Sequence, residues 1–585
     1  MSRYVEDVNK KDKAIGIEEE VTRKDTEDSL QVEMNDYLAK FLDMSNEAKE
    51  NENKEKTMPL GEGLKTFPKA AAWSIVLSSA LIMEGYDLNL IASFYAFPSF
   101  NKKYGHYDAG SDSYQLDTKW QTTLSMCANV GEIIGLFAAG IVADRIGYRW
   151  TLIGSLLLVI GLIFIVFFAS SIGMLVAGEL LLGLPWGVFQ TLTVSYACEV
   201  CPLVLRVYLT TYVNVCWVFG QLISAGVLKS YVDSTANDSY RIPFAIQWIW
   251  PVPIMIGIFL APESPWWLVK KGRLDQAKHS LRRLISANEH LPDTDILAEA
   301  MVNKMQLTVE KEFAISASAS YIECFRGRDF RRTRVAALTW VIQNITGSAL
   351  MGYSTYFYTQ AGLATNMAFT FTIIQSVFGV IGTFGSWFLA RAFGRFTIYF
   401  YGLCTQCVIL LIVGGLGCSS SSSASWGVGV MLWVLTFVYD LGVGPLCYCI
   451  VAEIPSVRLR TKTVIIARNA YNIAGIIVAV ITPHMLNPES WNWKAKTGFF
   501  WAGFALCSAV WCWFELPETK GKTFADLDAL FEHKIGARKF KSTEMETFNV
   551  GTMMEALGDE GIKAAVQHHE VLVDSNATTT HHEKV

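Results

Sequence analysis

Between residues 70 and 516 the chain alternates apolar runs of about twenty residues with short polar breaks. About 20 apolar residues is the length an α-helix needs to cross the hydrocarbon core of a bilayer, where every backbone N–H and C=O must be satisfied internally. The runs lie at 70–97, 120–143, 150–169, 172–197, 207–232 and 242–262. A polar stretch of about seventy residues follows, and then further runs at 334–358, 367–390, 397–416, 426–452, 463–486 and 498–516. This pattern predicts an all-α membrane protein of twelve transmembrane helices in two groups of six. An even count places both tails on one side.

Five regions follow: a polar N-terminal tail (1–66), a six-helix half (67–262), a linker (263–333), a second six-helix half (334–516) and a C-terminal tail (517–585). The N-terminal tail has no apolar segment of signal-peptide type, so it is expected in the cytoplasm, and its mixed acid and lysine runs read as disordered. Lys270, Lys271, Arg273, Arg282, Arg283, Arg331, Arg332 and Arg334 place the linker on the cytoplasmic side by the positive-inside effect. Within it Leu274 to Asn288 has helical apolar spacing.

Composition agrees: 51% of the 585 residues are hydrophobic and 18% charged, while the net charge of −5 identifies no partner. The twelve cysteines lie almost wholly in the spans, so neither a disulfide framework nor a redox motif is expected from pairs such as Cys198 and Cys201 or Cys404 and Cys407. The histidines show no metal spacing; His568, His569, His581 and His582 fall in the C-terminal tail. With no nucleotide-binding loop, catalytic triad or metal cluster, we expect no enzyme, no cofactor, no metal, no nucleic-acid partner and no ATP-driven transport. Asn237-Asp238-Ser239 is a glycosylation sequon on a predicted outer loop, whereas Asn344-Ile345-Thr346 falls inside the membrane.

The spans carry charges that cost about 2.5 to 3.5 kcal/mol each to bury at mid-depth. Glu84 and Asp87 sit half-way along the first run and Glu132 half-way along the second. Three residues apart, Glu84 and Asp87 project from nearly one helical face and are expected to line one cavity, as a protonatable site on a solute pathway.

The halves also repeat one another. Glu199 and Arg206 bracket the segment after the fourth run as Glu453 and Arg460 do after the tenth. Pro262-Glu263-Ser264 closes the sixth run, and Pro517-Glu518-Thr519 closes the twelfth. Gly140 to Gly147, containing Asp144 and Arg145, has its counterpart at Ala390 to Arg395. Acids and arginines at these helix ends can pair across the halves to close the cytoplasmic side, so Asp144, Arg145, Arg149, Glu199, Arg206, Glu453 and Arg460 are candidate gate residues. The alternative is that the arginines only enforce topology.

These loop boxes, together with Pro262 to Leu268 and Pro517 to Thr523, resemble the sugar porter family of the major facilitator superfamily, over residues 70–530. Glu84 to Asp87, Phe94 to Pro98, Trp217 to Gln221 and Arg468 to Asn472 resemble the fungal α-glucoside (maltose) proton symporters. The resemblance implies the major facilitator fold and alternating access. It also implies proton-coupled import of an α-glucoside, most of all maltose, across the plasma membrane, with the sugar, the proton and the bilayer as partners and regulatory proteins on the tails. A facilitative hexose carrier and a transport-inactive sugar receptor of the same fold are the alternatives.

Site residues follow by position. Asn214 stands where the family has a fifth-span Gln, with Gln221 two turns on, and Gln343 and Asn344 match the family's seventh-span amide pair. Tyr353 follows them, Tyr448 replaces a common Trp, and Asn472 in the eleventh span completes a ring of solute-binding residues. The pattern also departs from the family's. Ala349 replaces an expected Asn, Arg391 an expected acid, and Glu179 an Arg that partners the first-span Asp in many relatives. Asp87 is therefore left without that partner. The remaining membrane cation, Arg468, either faces the proton-coupling acids Asp87, Glu84 and Glu132 or snorkels to the cytoplasmic face.

Overall fold

The computed structural model describes residues 50, 54, 57–108, 113–234, 239–286, 294–315, 320–360, 364–419, 421–486, 491 and 493–543. Asn237 of the sequon, residues 287–288 of the linker helix, most of the N-terminal tail and the C-terminal histidines lie outside the described residues. The chain divides into two compact units. The larger, 55–298 with 318–545, holds the membrane spans. The other comprises 1–54, 299–317 and 546–585; in it, Glu50 and Lys54 form an exposed ion pair of 2.7 Å and residues 299–315 are helical.

Among the described residues, eleven helices are long and apolar enough to cross a membrane: Pro68–Phe94, Thr118–Ile146, Tyr148–Phe167, Ile172–Val200, Leu203–Tyr231, Arg241–Leu260, Thr365–Ala392, Arg395–Leu416, Trp426–Glu453, Arg460–Leu486 and Lys494–Glu515. The missing member is the seventh run. The sequence predicts it as one span, but it forms three helices, Gly327–Gln343, Ala349–Gly352 and Ser354–Gln360, with a π turn at Asn344–Ser348. Gly347 makes the break, with φ at +94°, a conformation a side chain at this position would strain. With this broken element the count is twelve. The one departure from an all-α chain among the described residues is a small hairpin between the first two spans, where His106 pairs with Gln115.

Packing repeats the sequence duplication. The first span packs on the fifth and the second on the fourth; in the other half the seventh packs on the eleventh and the eighth on the tenth. The halves meet where the second span touches the eleventh and the fifth touches the eighth. Lipid tails give helices no hydrophobic drive to associate, so close backbone approach carries much of the packing. Gly131 and Gly135 of the second span face Gly183 and Gly187 of the fourth, and a Cβ on Gly131 would come within 2.9 Å of the Gly183 Cα. This contact fixes the depth of Glu132 against the fourth span. Outer faces display exposed residues such as Phe137, Phe388 and Phe514, as a lipid-facing surface requires.

The linker begins with helices Pro265–Lys270 and Leu274–Leu284, the latter four residues shorter than the apolar spacing predicts. After the twelfth span the chain turns into helix Phe524–Glu532, started by a reciprocal cap between Thr523 and Asp526.

Candidate functional site

A polar cavity lies between the halves. Asn214, Gln221, Gln343, Asn344, Tyr353 and Tyr448 all reach its wall; Asn472 does not, being fully buried beside Glu132. The two breaks in the seventh span explain three of these positions, since Gln343 and Asn344 precede one and Tyr353 forms the other. The Gln343 amide donates to the Gly444 carbonyl (2.8 Å), and Asn344 donates to that of Tyr471 (2.8 Å), so spans ten and eleven hold both side chains in place. Asn214 crosses from the fifth span to the other half, donating to Asp440 Oδ1 (2.9 Å) and Thr383 Oγ1 (3.2 Å). Sequence reasoning passed over Asp440, although a lone carboxylate inside an apolar run is the same signal that marked Glu132.

Glu84 and Asp87 share a helix but not an environment, and neither lies on the cavity wall, contrary to the expectation from their spacing. Glu84 accepts from Gln190 and lies 3.7 Å from the Arg468 guanidinium, which is 3.5 Å from Glu132. Arg468 is buried, and its guanidinium stacks 3.9 Å from the Tyr471 ring centroid, so of its two alternatives it faces acids rather than snorkelling. Asp87 points elsewhere. It accepts from Gln247 of the sixth span (2.6 Å) and Trp186 of the fourth (3.3 Å), and the Glu179 carboxyl lies in electrostatic contact with it. The proton-coupling candidates thus fall into two groups: Glu84, Glu132 and Arg468 in one, Asp87 in the other.

On the linker side a second network joins the halves. Glu199 accepts from Arg460 (3.4 Å), Tyr148 (3.1 Å) and Ser264. Asp144 pairs with Lys462 at 2.7 Å. In the second half Glu453 pairs with Arg395 (3.3 Å) and accepts from Thr519 (2.6 Å), a copy of Glu199 with Ser264. Glu263 receives the backbone N–H of Tyr148 and Arg149 at the start of the third span and that of its neighbour Ser264, as Glu518 receives that of Arg395 at the start of the ninth. A carboxylate at a helix N-terminus meets unpaired donors and the positive end of the dipole. Burial pushes the Glu263 carboxyl above its usual range, and these three N–H groups act against the shift.

Three gate candidates stand outside the ion pairs. Arg206 meets no acid among the described residues; its guanidinium lies 3.9 Å from the centroid of Phe524, which Arg460 covers from another side at 3.8 Å. Arg149 binds the Phe259 carbonyl and its ring, and Arg145 makes no ion pair among the described residues. Lys462, Arg395, Ser264 and Thr519 were missed. The last two were legible as matched hydroxyls in the repeated Pro-Glu-Ser and Pro-Glu-Thr boxes.

Two duplicated six-span halves around a cavity, joined on the linker side by ion pairs between the halves, define a multi-pass membrane transporter of the major facilitator class. Residues 73–531 match the sugar (and other) transporter family model, and the chain belongs to that family. Relatives in Saccharomyces cerevisiae include a maltose permease, MAL61, 49% identical over 518 residues, covering 88% of this chain and 84% of its own. The α-glucosides permease MPH2 is 46% identical over 550 residues, covering 91% and 90%. Among solved structures, the proton:xylose symporter XylE superposes with a TM-score of 0.68 at 20% identity, over 79% of this chain and 99% of that one, a likeness of fold.

Proposed function

We propose that the protein imports an α-glucoside, maltose above all, together with a proton across the plasma membrane by alternating access. The observation that carries this reading is the cavity between the halves, walled by amides from both halves and by tyrosines of the second, with carboxylates and one arginine buried against it. Hydroxyl-rich solutes are held by convergent hydrogen bonds in a partly apolar pocket, and Asn214, Gln221, Gln343, Asn344, Tyr353 and Tyr448 supply such groups. The kinship with permeases named for maltose and α-glucosides, over about nine-tenths of the chain, supports the choice of sugar.

Glu84, Glu132 and Asp87 carry the proton in this reading, with Arg468 as counter-ion to the first two. An acid alternately desolvated and hydrated, near a cation whose distance changes, gains and loses a proton as the cavity switches sides. Glu199–Arg460 and Asp144–Lys462 hold the cytoplasmic side shut and part when it opens. Buried ionisable groups in the spans favour coupling over facilitation, because a facilitator has no use for charges that cost kilocalories to bury.

The deciding experiment is sugar-induced alkalinisation of an unbuffered suspension of cells that express the protein and lack other permeases. Maltose is expected to draw protons in, with glucose, trehalose and sucrose as comparisons. Maltose entry without proton movement would leave a facilitator, and the absence of uptake for all four sugars would leave a receptor.

A further inference from the structure

We propose that Glu179 is a proton relay between the solute cavity and Asp87. The inference rests on the proton-coupled reading above and adds a residue to it.

Asp87 is fully buried and off the cavity wall, so a proton bound there needs a route. Glu179, on the fourth span, is the acid that touches both places. It contributes to the cavity lining, and its carboxyl lies in electrostatic contact with that of Asp87. Neither Glu179 oxygen has a donor from elsewhere among the described residues, and both are buried.

Two negative charges in contact, desolvated and without a cation, cannot both persist. Among the described residues the neighbours supply no cation. The first span brings Tyr86, the residue after its end Tyr95, the second span Cys127, the fourth Trp186 and the sixth Gln247. Arg468 is engaged with Glu84 and Glu132. Donors are also unequally divided: Gln247 and Trp186 both serve Asp87, so the ionised form is favoured on Asp87 and the O–H on Glu179. The step is then a transfer of one proton. The Glu179 O–H bond breaks as an Asp87 O–H bond forms; a hydronium in the cavity then gives up a proton, becoming water, and restores the O–H of Glu179; and the reverse sequence releases that proton to cavity water once the cavity faces the other side.

The test measures protons entering per maltose, from alkalinisation and labelled-maltose uptake on the same cells, across a pH series. Glu179→Gln fills the same space and can donate to Asp87 but carries no proton. Its proton-to-maltose ratio is expected to fall to that of Asp87→Asn, and the double variant to fall no further. A Glu179→Gln protein with the wild-type ratio and pH profile overturns the relay. In Glu179→Asp, one methylene shorter, the ratio is expected to fall part-way. A wild-type ratio there overturns the relay even where the Gln variant fails to reach the membrane. Wild-type protein that takes up maltose without protons overturns the coupled reading itself, an outcome distinct from a coupled wild type matched by Glu179→Gln.

Discussion

Arg460 of the second half places Nη1 3.4 Å from Oε1 of Glu199 in the first, and both side chains are buried. Taking one member from such a pair strands a charge and costs about 3–5 kcal/mol. The cost falls on the conformation in which the halves touch, so the penalty is largely one of population. We expect Arg460→Gln and Glu199→Gln to shift the resting protein toward cytoplasmic-side opening. A cysteine placed at Ser376 on the cavity wall of an otherwise cysteine-free protein should label faster from that side. Unchanged labelling would reduce the pair to a topological role.

Arg206 was expected to pair with an acid, and it stacks on Phe524 instead. A desolvated cation over a ring is worth about 2 kcal/mol, and Phe524 serves two guanidinium groups at once. Phe524→Leu keeps the bulk and removes the π face. In a double-mutant cycle with Arg206→Met, we expect a coupling of about 1–2 kcal/mol in the unfolding of purified protein. Additivity within about 0.5 kcal/mol would separate the two residues energetically.

Gln343 and Asn472 were read as members of one ring and are separated by the structure. Gln343→Ala removes a hydrogen bond from a cavity residue, about 0.5–1.5 kcal/mol, so the apparent KM for maltose should rise roughly two- to tenfold at normal surface abundance. Asn472→Ala, off the wall and beside Glu132, should leave KM within about twofold and alter the proton-to-sugar ratio instead. The reverse pattern would return Asn472 to the solute site.

Much of this architecture was legible because the bilayer allows so few solutions. Twelve apolar runs of spanning length, and motifs recurring at the same helix ends, gave the halves and their duplication without reference to any contact. The seventh span escaped because its apolar run is continuous; only Gly347 marks the break, and a lone glycine in a helix usually passes unnoticed. Arg206 escaped because its partner ring lies on a segment more than three hundred residues away, beyond the twelfth span. Glu179 was visible as an acid in an arginine's place, but the nearness to Asp87 that gives that exchange a meaning is a property of the fold. Spacing put Glu84 and Asp87 on one face, and a difference of three residues proved enough to send one toward Arg468 and the other toward Gln247.

That separation yields the last prediction. Glu84 and Glu132 share one guanidinium, at 3.7 and 3.5 Å, so neutralising either leaves Arg468 fully available to the other. Their effects on the pH dependence of maltose-driven proton entry should be strongly non-additive, because groups that interact titrate as a set rather than singly. Asp87 makes no contact with Arg468 among the described residues. Asp87→Asn should therefore lower uphill accumulation on its own account, and its effect should add to that of Glu84→Gln or Glu132→Gln. The measurement is the accumulation ratio and the pH midpoint of proton entry for three single and three double variants, corrected for surface abundance. Strong coupling between Asp87 and Glu132, or additivity between Glu84 and Glu132, would contradict the two-group arrangement and mean that all three acids work as one site.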